Sequence, residues 1–518
     1  MKILILNGSP KGKNSVTLHT CLYIQKQYPE HSYEILDVGQ KIRSFEKDMA
    51  SAVKALEWAD LIVFCYPVYT FLAPAQLHRF IRLMKESGCD VSGKFATQIT
   101  TSKHFFDVTA HRFIQDNCAD FGLKYIKGLS ADMEDLPTKQ GQRDARKFWR
   151  YVEYCVRYDL YEPASVPVIP EKTMGNSALS GEEQNAAAVN TYTNNVRVID
   201  EPVDRISDGE VEKKSAEASW QMKTKTAEKQ DEPGTKKPAT IKKPAIKKKT
   251  KTGKGKTGRK TGTGRKDIVI VASIRPGDTK LSAMIAEFQS VCPYPVRVMN
   301  IEEFPFQGGC ISCFHCAADG TCIYKDGFAD MLREQIQSAD AILYAFTIQD
   351  HSMGPRFKLY DDRQFCNGHR TVTMGMPMGY LIAGNLEAEE NLRMVIEARC
   401  EVGHNFLCGM ATNSEEIRKM NARLLYALRR AYVQPQNFYG VGGMKIFRDL
   451  IYVMRGLMKA DHQFYKKNGI YDFPQKKKGQ ILLMMLVGAL MNNPKLRVKA
   501  GKQMTEGMVA PYKKVLEE

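Results

Sequence analysis

With 518 residues, 43% of them hydrophobic and 26% charged, the chain has an ordinary globular composition and room for two to four domains. Its net charge of +17 is local: residues 235–266 carry fourteen Lys and Arg and no acid, leaving +3 for everything else, so the folded parts are close to neutral. The N-terminal apolar run of four residues is too short for a secretory core, and the run Ile481 to Met491 is too short to span a bilayer. Thirteen cysteines without an export signal read as reduced thiols, and a cytoplasmic protein is expected.

The first element is a β-branched run, residues 3–6, which reads as a buried parallel strand. It opens into Asn7-Gly8-Ser9-Pro10-Lys11-Gly12-Lys13-Asn14-Ser15-Val16-Thr17. Small and hydroxylic residues at a strand-to-helix junction aim backbone N–H groups and hydroxyls at one place, which suits phosphate. A Walker A loop is excluded, because Gly8 and Gly12-Lys13 are one residue too close and Asn14 stands where Ser or Thr is needed. A solvated Gly/Ser loop is the plain alternative. Ser32 to Val38 reads as a second strand, Ala50 to Trp58 as a helix, and Leu61 to Cys65 as a third strand. That strand empties into Tyr66-Pro67-Val68-Tyr69-Thr70-Phe71-Leu72-Ala73-Pro74-Ala75-Gln76-Leu77. A fourth strand, Phe95 to Thr100, ends in Thr101-Ser102-Lys103. Strands alternating with helices predict a doubly wound parallel α/β sheet, with ligands bound at the carboxyl ends of the strands.

These residues carry a resemblance. The pattern N-G-S-P-x-x-x-N-S-x-T followed by Y-P-V-Y…P-A-x-L-x-x-F is similar to that of the flavodoxin-like NADPH-dependent FMN reductases. The resemblance implies FMN, with its phosphate on Ser9, Lys11, Asn14, Ser15 and Thr17. Pro67, Val68 and Tyr69 would line the ring, with Thr100, Thr101 and Ser102 nearby, and NAD(P)H would be the electron donor. Tyr66 and Tyr69 read equally as core aromatics, because a buried Tyr needs only a partner for its hydroxyl.

The first domain is expected to span 1–163. Residues 164–266 lose their periodicity and become Lys/Pro/Gly/Thr-rich, which predicts a disordered basic linker. It reads as a tether; contact with nucleic acid or an anionic membrane is the less favoured reading. The first motif then returns. Asp267-Ile268-Val269-Ile270-Val271-Ala272-Ser273 is a strand and loop, Pro295 to Ile301 is a second strand, and Ala339-Asp340-Ala341-Ile342 mirrors Ala59-Asp60-Leu61-Ile62. A second, tandem α/β domain is expected at 267–434. A flavin in this copy would use Ser273, Arg275 and Thr279, although Ala272 and Phe346-Thr347-Ile348-Gln349-Asp350-His351 depart from the first copy's pattern. His315, His351, His369 and His404 read as core or surface histidines.

Between its second and third strands this copy holds Gly308-Gly309-Cys310-Ile311-Ser312-Cys313-Phe314-His315-Cys316, followed by Cys322. That is C-x2-C-x2-C-x5-C within fifteen residues. Four thiolates on one short loop suit a [4Fe–4S] centre; a zinc ion or plain redox thiols are the alternatives. Ile3 to Asp60 spans 57 positions and Ile268 to Asp340 spans 72, so the difference equals the length of the 308–322 stretch. The arrangement resembles the iron–sulfur flavoproteins, in which a flavodoxin-like domain carries such a motif after its second strand. The two copies are then expected to pack as a dimer-like pair or to homo-oligomerise, and to pass electrons to a redox partner or small-molecule acceptor. Residues 435–518 read as a helical extension. Phe447, Leu450, Ile451, Met454, Leu457 and Met458 form one face of it, and a later helix, Ile481 to Met491, is apolar all round and is expected to be buried; the extension reads as a cap or dimer surface on the second copy, with an interfacial membrane or partner contact the less favoured reading.

Overall fold

The computed structural model describes residues 1–162 and 266–491. The linker expected at 164–266 lies outside them, apart from Lys266, as does the extension beyond residue 491. In the first half, β1 (Lys2–Asn7) pairs in parallel with β2 (Ser32–Leu36) on one side and β3 (Leu61–Pro67) on the other. Every residue of β1 after Lys2 is buried, because helices cover both faces of a central parallel strand. Helix α1 (Val16–Gln27) follows β1, and α2 (Val38–Phe45) and α3 (Ala50–Trp58) follow β2. Next come α4 (Ala75–Ser87), β4 (Phe95–Ser102), α5 (Asp107–Asp120), β5 (Lys124–Tyr125), β6 (Leu129–Asp132) and α6 (Lys139–Arg157). The strand order is β2-β1-β3-β4-β5, with β6 beside the far end of β4.

The second half repeats this order. Its elements are β7 (Ile268–Ala272), α7 (Thr279–Val291), β8 (Val296–Asn300), α8 (His315–Ala318), α9 (Phe328–Met331) and β9 (Ala341–Thr347). They continue with α10 (Pro355–Arg363), β10 (Pro377–Ala383), α11 (Glu390–Val402), β11 (Phe406–Ala411) and α12 (Ser414–Arg430). The strands run β8-β7-β9-β10-β11, all parallel, so both halves are flavodoxin-like doubly wound sheets. The repeat extends to single hydrogen bonds. Asp60 accepts from the Lys2 N–H at 2.8 Å, and Asp340 accepts from the Asp267 N–H at 3.0 Å. The cysteine-bearing stretch stands where the first half has α2.

Helices α4 and α10 pack on each other, as do α5 and α11; they follow the third and fourth strands of the two halves. This explains why α4 buries Ala75, Gln76, Leu77, His78, Phe80, Ile81, Leu83 and Met84, more than one amphipathic stripe. One side of α4 meets its own sheet and the other meets α10. The extension begins with α13 (Phe438–Val453) and α14 (Lys459–Lys467). Ile451 and Met458 are fully buried, whereas Leu457 is exposed. The Phe447 ring lies tilted against Phe105 of the first half with centroids 4.2 Å apart, so the extension touches both halves. The last helix, α15 (Lys478–Met491), departs from expectation: Ile481 through Leu486 are exposed rather than buried. Among the described residues no helix is long and apolar enough to cross a membrane.

Candidate functional site

The loop after β1 is built by its own polar groups. The Asn7 amide donates to Asp37 at 2.9 Å and accepts from the Ser9 N–H at 3.3 Å, and the Gly12 N–H reaches the Ser9 carbonyl at 3.1 Å. Ser15 caps α1 by accepting from the Leu18 N–H at 3.3 Å, the usual use of a Ser at that position. The Thr17 and Thr101 hydroxyls meet at 2.6 Å, which ties the first loop to the end of β4. Ser9, Lys11, Ser15, Thr17, Pro67, Val68, Tyr69, Thr101 and Ser102 all line one cavity. Two expected residues do not. Asn14 is exposed on the short turn Gly12–Asn14. Thr100 points to the opposite face of β4, where its hydroxyl meets the His111 ring at 2.8 Å, because successive side chains of a strand alternate. Tyr66 is a core residue, its hydroxyl donating to Gln98 at 2.6 Å.

The cysteine loop is held by cations of the second half. Arg363 donates to the Gly308 carbonyl at 2.9 Å and pairs with Asp326 at 2.7 Å. Arg333 donates to the Gly320 and Cys366 carbonyls at 2.7 and 3.1 Å, and Arg370 to the Cys316 carbonyl at 2.9 Å. Asp461 of α14 is fully buried and accepts from the His369 N–H at 3.0 Å and from Arg370 at 2.8 Å, fastening the extension to the loop. Ser312 and Phe314 adopt left-handed backbone at φ 53° and 63°, conformations that cluster at ligand clamps. Gly309 presses on the first half, where a Cβ would come within 2.7 Å of the Gln76 amide.

The same cavity, about 430 Å³, is lined by Cys310, Cys313, Cys316 and Cys322. That is within the usual range for cofactor sites. Phe314 of the cysteine loop lies 5.4 Å under the Lys11 ammonium. Burial pushes the Tyr69 phenol well up, and the Cys310 thiol beside it adds to the effect. Burial likewise pushes the Cys310 thiol up to about 12 and the Cys316 thiol up to about 11. Thiols held neutral in this way ligate only when a metal displaces their protons.

Four thiols on one short loop offer the donor set of a polynuclear centre, and four thiolates also make a zinc site. A fifth thiol, Cys366, is buried in the wall of the same cavity, near Cys316 and Cys322. Sequence reasoning missed it because 44 positions separate it from Cys322. It also missed Arg333, Arg363 and Arg370, which no spacing rule marks.

The second copy's loop differs. Ser273 bonds the Glu302 carboxylate, and Arg275 is folded onto Asp278 through its backbone N–H at 3.0 Å and its guanidinium at 3.1 Å. Two carboxylates thus stand where an anionic phosphate would need donors, and Ser273, Arg275 and Thr279 lie outside the shared cavity. The loop equivalent to Pro67–Tyr69 is engaged elsewhere, with His351 bonded to Asp120 and Glu389, each at 3.1 Å.

Residues 1–88 match a family described as having a flavodoxin-like fold. An iron–sulfur flavoprotein of Archaeoglobus fulgidus is 25% identical over 173 residues, which are 31% of this chain and 78% of that protein. Two solved structures are similar. General stress protein 14 of Treponema denticola in complex with FMN is 13% identical, over 30% of this chain and 98% of that one, with a TM-score of 0.25. An NAD(P)H:quinone oxidoreductase of Methanothermobacter marburgensis is 15% identical over the same shares, with a TM-score of 0.24.

Proposed function

We propose that this chain is an NAD(P)H-dependent oxidoreductase carrying one FMN in its first half and a [4Fe–4S] centre on Cys310, Cys313, Cys316 and Cys322 of its second. The supporting observation is the single cavity lined by the loops of both halves. When bound, a flavin supplies the change between two-electron and one-electron chemistry, and an iron–sulfur centre supplies one-electron transfer to an acceptor.

The chain's own residues position and insulate. Ser9, Ser15, Thr17 and Lys11 offer hydroxyl and ammonium donors to a phosphate at the N-terminus of α1. Tyr69 lines the cavity beside Cys310, with its phenol kept protonated by burial. Arg333, Arg363 and Arg370 hold the cysteine loop through its backbone carbonyls, two of them with their charge matched by Asp326 and Asp461. Phe447, Leu450 and Met454 close the cavity from the extension and exclude water. The closed loop at Ser273–Thr279 argues for one flavin per chain.

The test is an anaerobic absorption spectrum of purified protein with flavin, iron, sulfide and zinc analysis. About one FMN and four irons per chain, with the iron lost but the flavin kept in Cys313→Ser, are expected. Zinc without sulfide would overturn the reading.

A further inference from the structure

Helix α15 is left uncovered among the described residues. An apolar run of ten to fourteen residues is a buried core helix, a re-entrant segment or an interfacial one. No described residue buries it: Ile481, Leu482, Leu483, Met484, Met485 and Leu486 are 44–67% exposed. These are six consecutive positions, and at 100° per residue they encircle the helix. A side-by-side contact with a second copy of this chain covers one stripe of a helix and would leave the other side chains in water. A continuous apolar medium covers all of them.

Charge and length name that medium. Lys476, Lys477 and Lys478 are exposed at the start of the helix, and residues 474–518 carry nine Lys and Arg against three acids. The run from Ile481 to Met491 is about 16 Å long at 1.5 Å per residue, roughly half of a ~30 Å hydrocarbon core. We propose that α15 docks the protein on an anionic lipid surface, too short to cross it and lying in the plane of one leaflet beneath the headgroups, with Lys476, Lys477 and Lys478 among them. Lysine stems at such a boundary lie along apolar chains while their ammonium groups reach phosphate. The site is a binding surface, independent of which cofactors the two halves hold.

The experiment is co-sedimentation of the full-length protein with vesicles of phosphatidylcholine alone or mixed with phosphatidylglycerol. Binding to the mixed vesicles at least tenfold tighter than to the neutral ones, and weakened by salt, is expected. Leu483→Asp combined with Leu486→Asp should reduce binding at least tenfold without moving the thermal midpoint, since neither side chain is packed. Unchanged binding in that variant would overturn the proposal, because the basic stretch 235–266 would then be the lipid contact. Absence of binding to the mixed vesicles overturns it too. So does a concentration-dependent dimer that forms without lipid and dissociates in the variant, which would show a second copy covering the helix.

Discussion

Lys358 offers the sharpest test of whether the second half builds the first half's site. It is fully buried on α10, bonded to the Asp362 carboxylate and, across the interface, to the Tyr69 carbonyl at 3.0 Å and the Thr70 hydroxyl at 2.6 Å. Asp362 in turn accepts from the Thr70 hydroxyl at 2.9 Å and the Ala75 N–H at 2.8 Å. Thr70 and Phe71 are held at φ 42° and 71°, strained for non-glycine residues, so the turn that follows the cavity-lining Pro67–Tyr69 depends on these bonds. Lys358→Met leaves the Asp362 carboxylate buried without its cation, which costs about 3–5 kcal/mol. Burial already pushes the Asp362 carboxyl up, so it takes a proton in the variant and the loss falls at the lower end, about 3 kcal/mol. Relaxation of the turn should weaken FMN about 10- to 100-fold, or about 1.4–2.8 kcal/mol. Flavin fluorescence quenching and chemical denaturation read the two effects separately. Pairing Lys358→Met with Asp362→Leu removes both charges and should recover most of the stability but not the affinity. FMN binding within twofold of wild type in Lys358→Met would refute the reasoning.

Three further outcomes are expected. Titration of flavin-free protein should saturate at one FMN per chain; Thr17→Val with Thr101→Val should weaken it about tenfold, the worth of roughly one hydrogen bond, and Arg275→Ala should not change it. Two equivalents would contradict the closed second loop. Asp461→Asn removes the buried carboxylate that joins α14 to His369 and Arg370, so the visible absorbance of the reconstituted centre should bleach several-fold faster in air; an unchanged half-life would show that the extension is no shield. His351 is flanked by Asp116, Asp120, Asp350, Glu389 and Lys85. Burial alone would depress its pKa, but the Asp120 and Glu389 carboxylates outweigh burial and raise it to about 10. Its contribution, on the order of a few kcal/mol, is therefore complete below about pH 6.5 and lost as pH rises toward 10. The stability gap between wild type and His351→Gln in urea should close over that window, and a constant gap would show that the charge on His351 is irrelevant.

Local chemistry carried the chain's outline. The β-branched runs after Met1 and Lys266 and the Asp60 and Asp340 landmarks declare parallel strands and a repeat within a few residues, because propensity is short-range, and the four clustered cysteines offer a metal's donor set just as locally. The same short range misled at Ser273, Arg275 and Thr279. They look like the first loop, but the carboxylate that occupies Ser273 comes from Glu302, beyond the second strand. Thr100 carried the right hydroxyl on the wrong side of a pleat. The composition of α15 signalled an apolar environment without saying whether this chain supplies it. Only the tertiary structure set Cys310 beside Tyr69, 241 positions apart, and brought Cys366, Arg363 and Asp461 around them. The packing of α4 on α10 and α5 on α11 does this by joining the carboxyl-terminal loops of two separate sheets, and no spacing within either copy encodes which loops will meet.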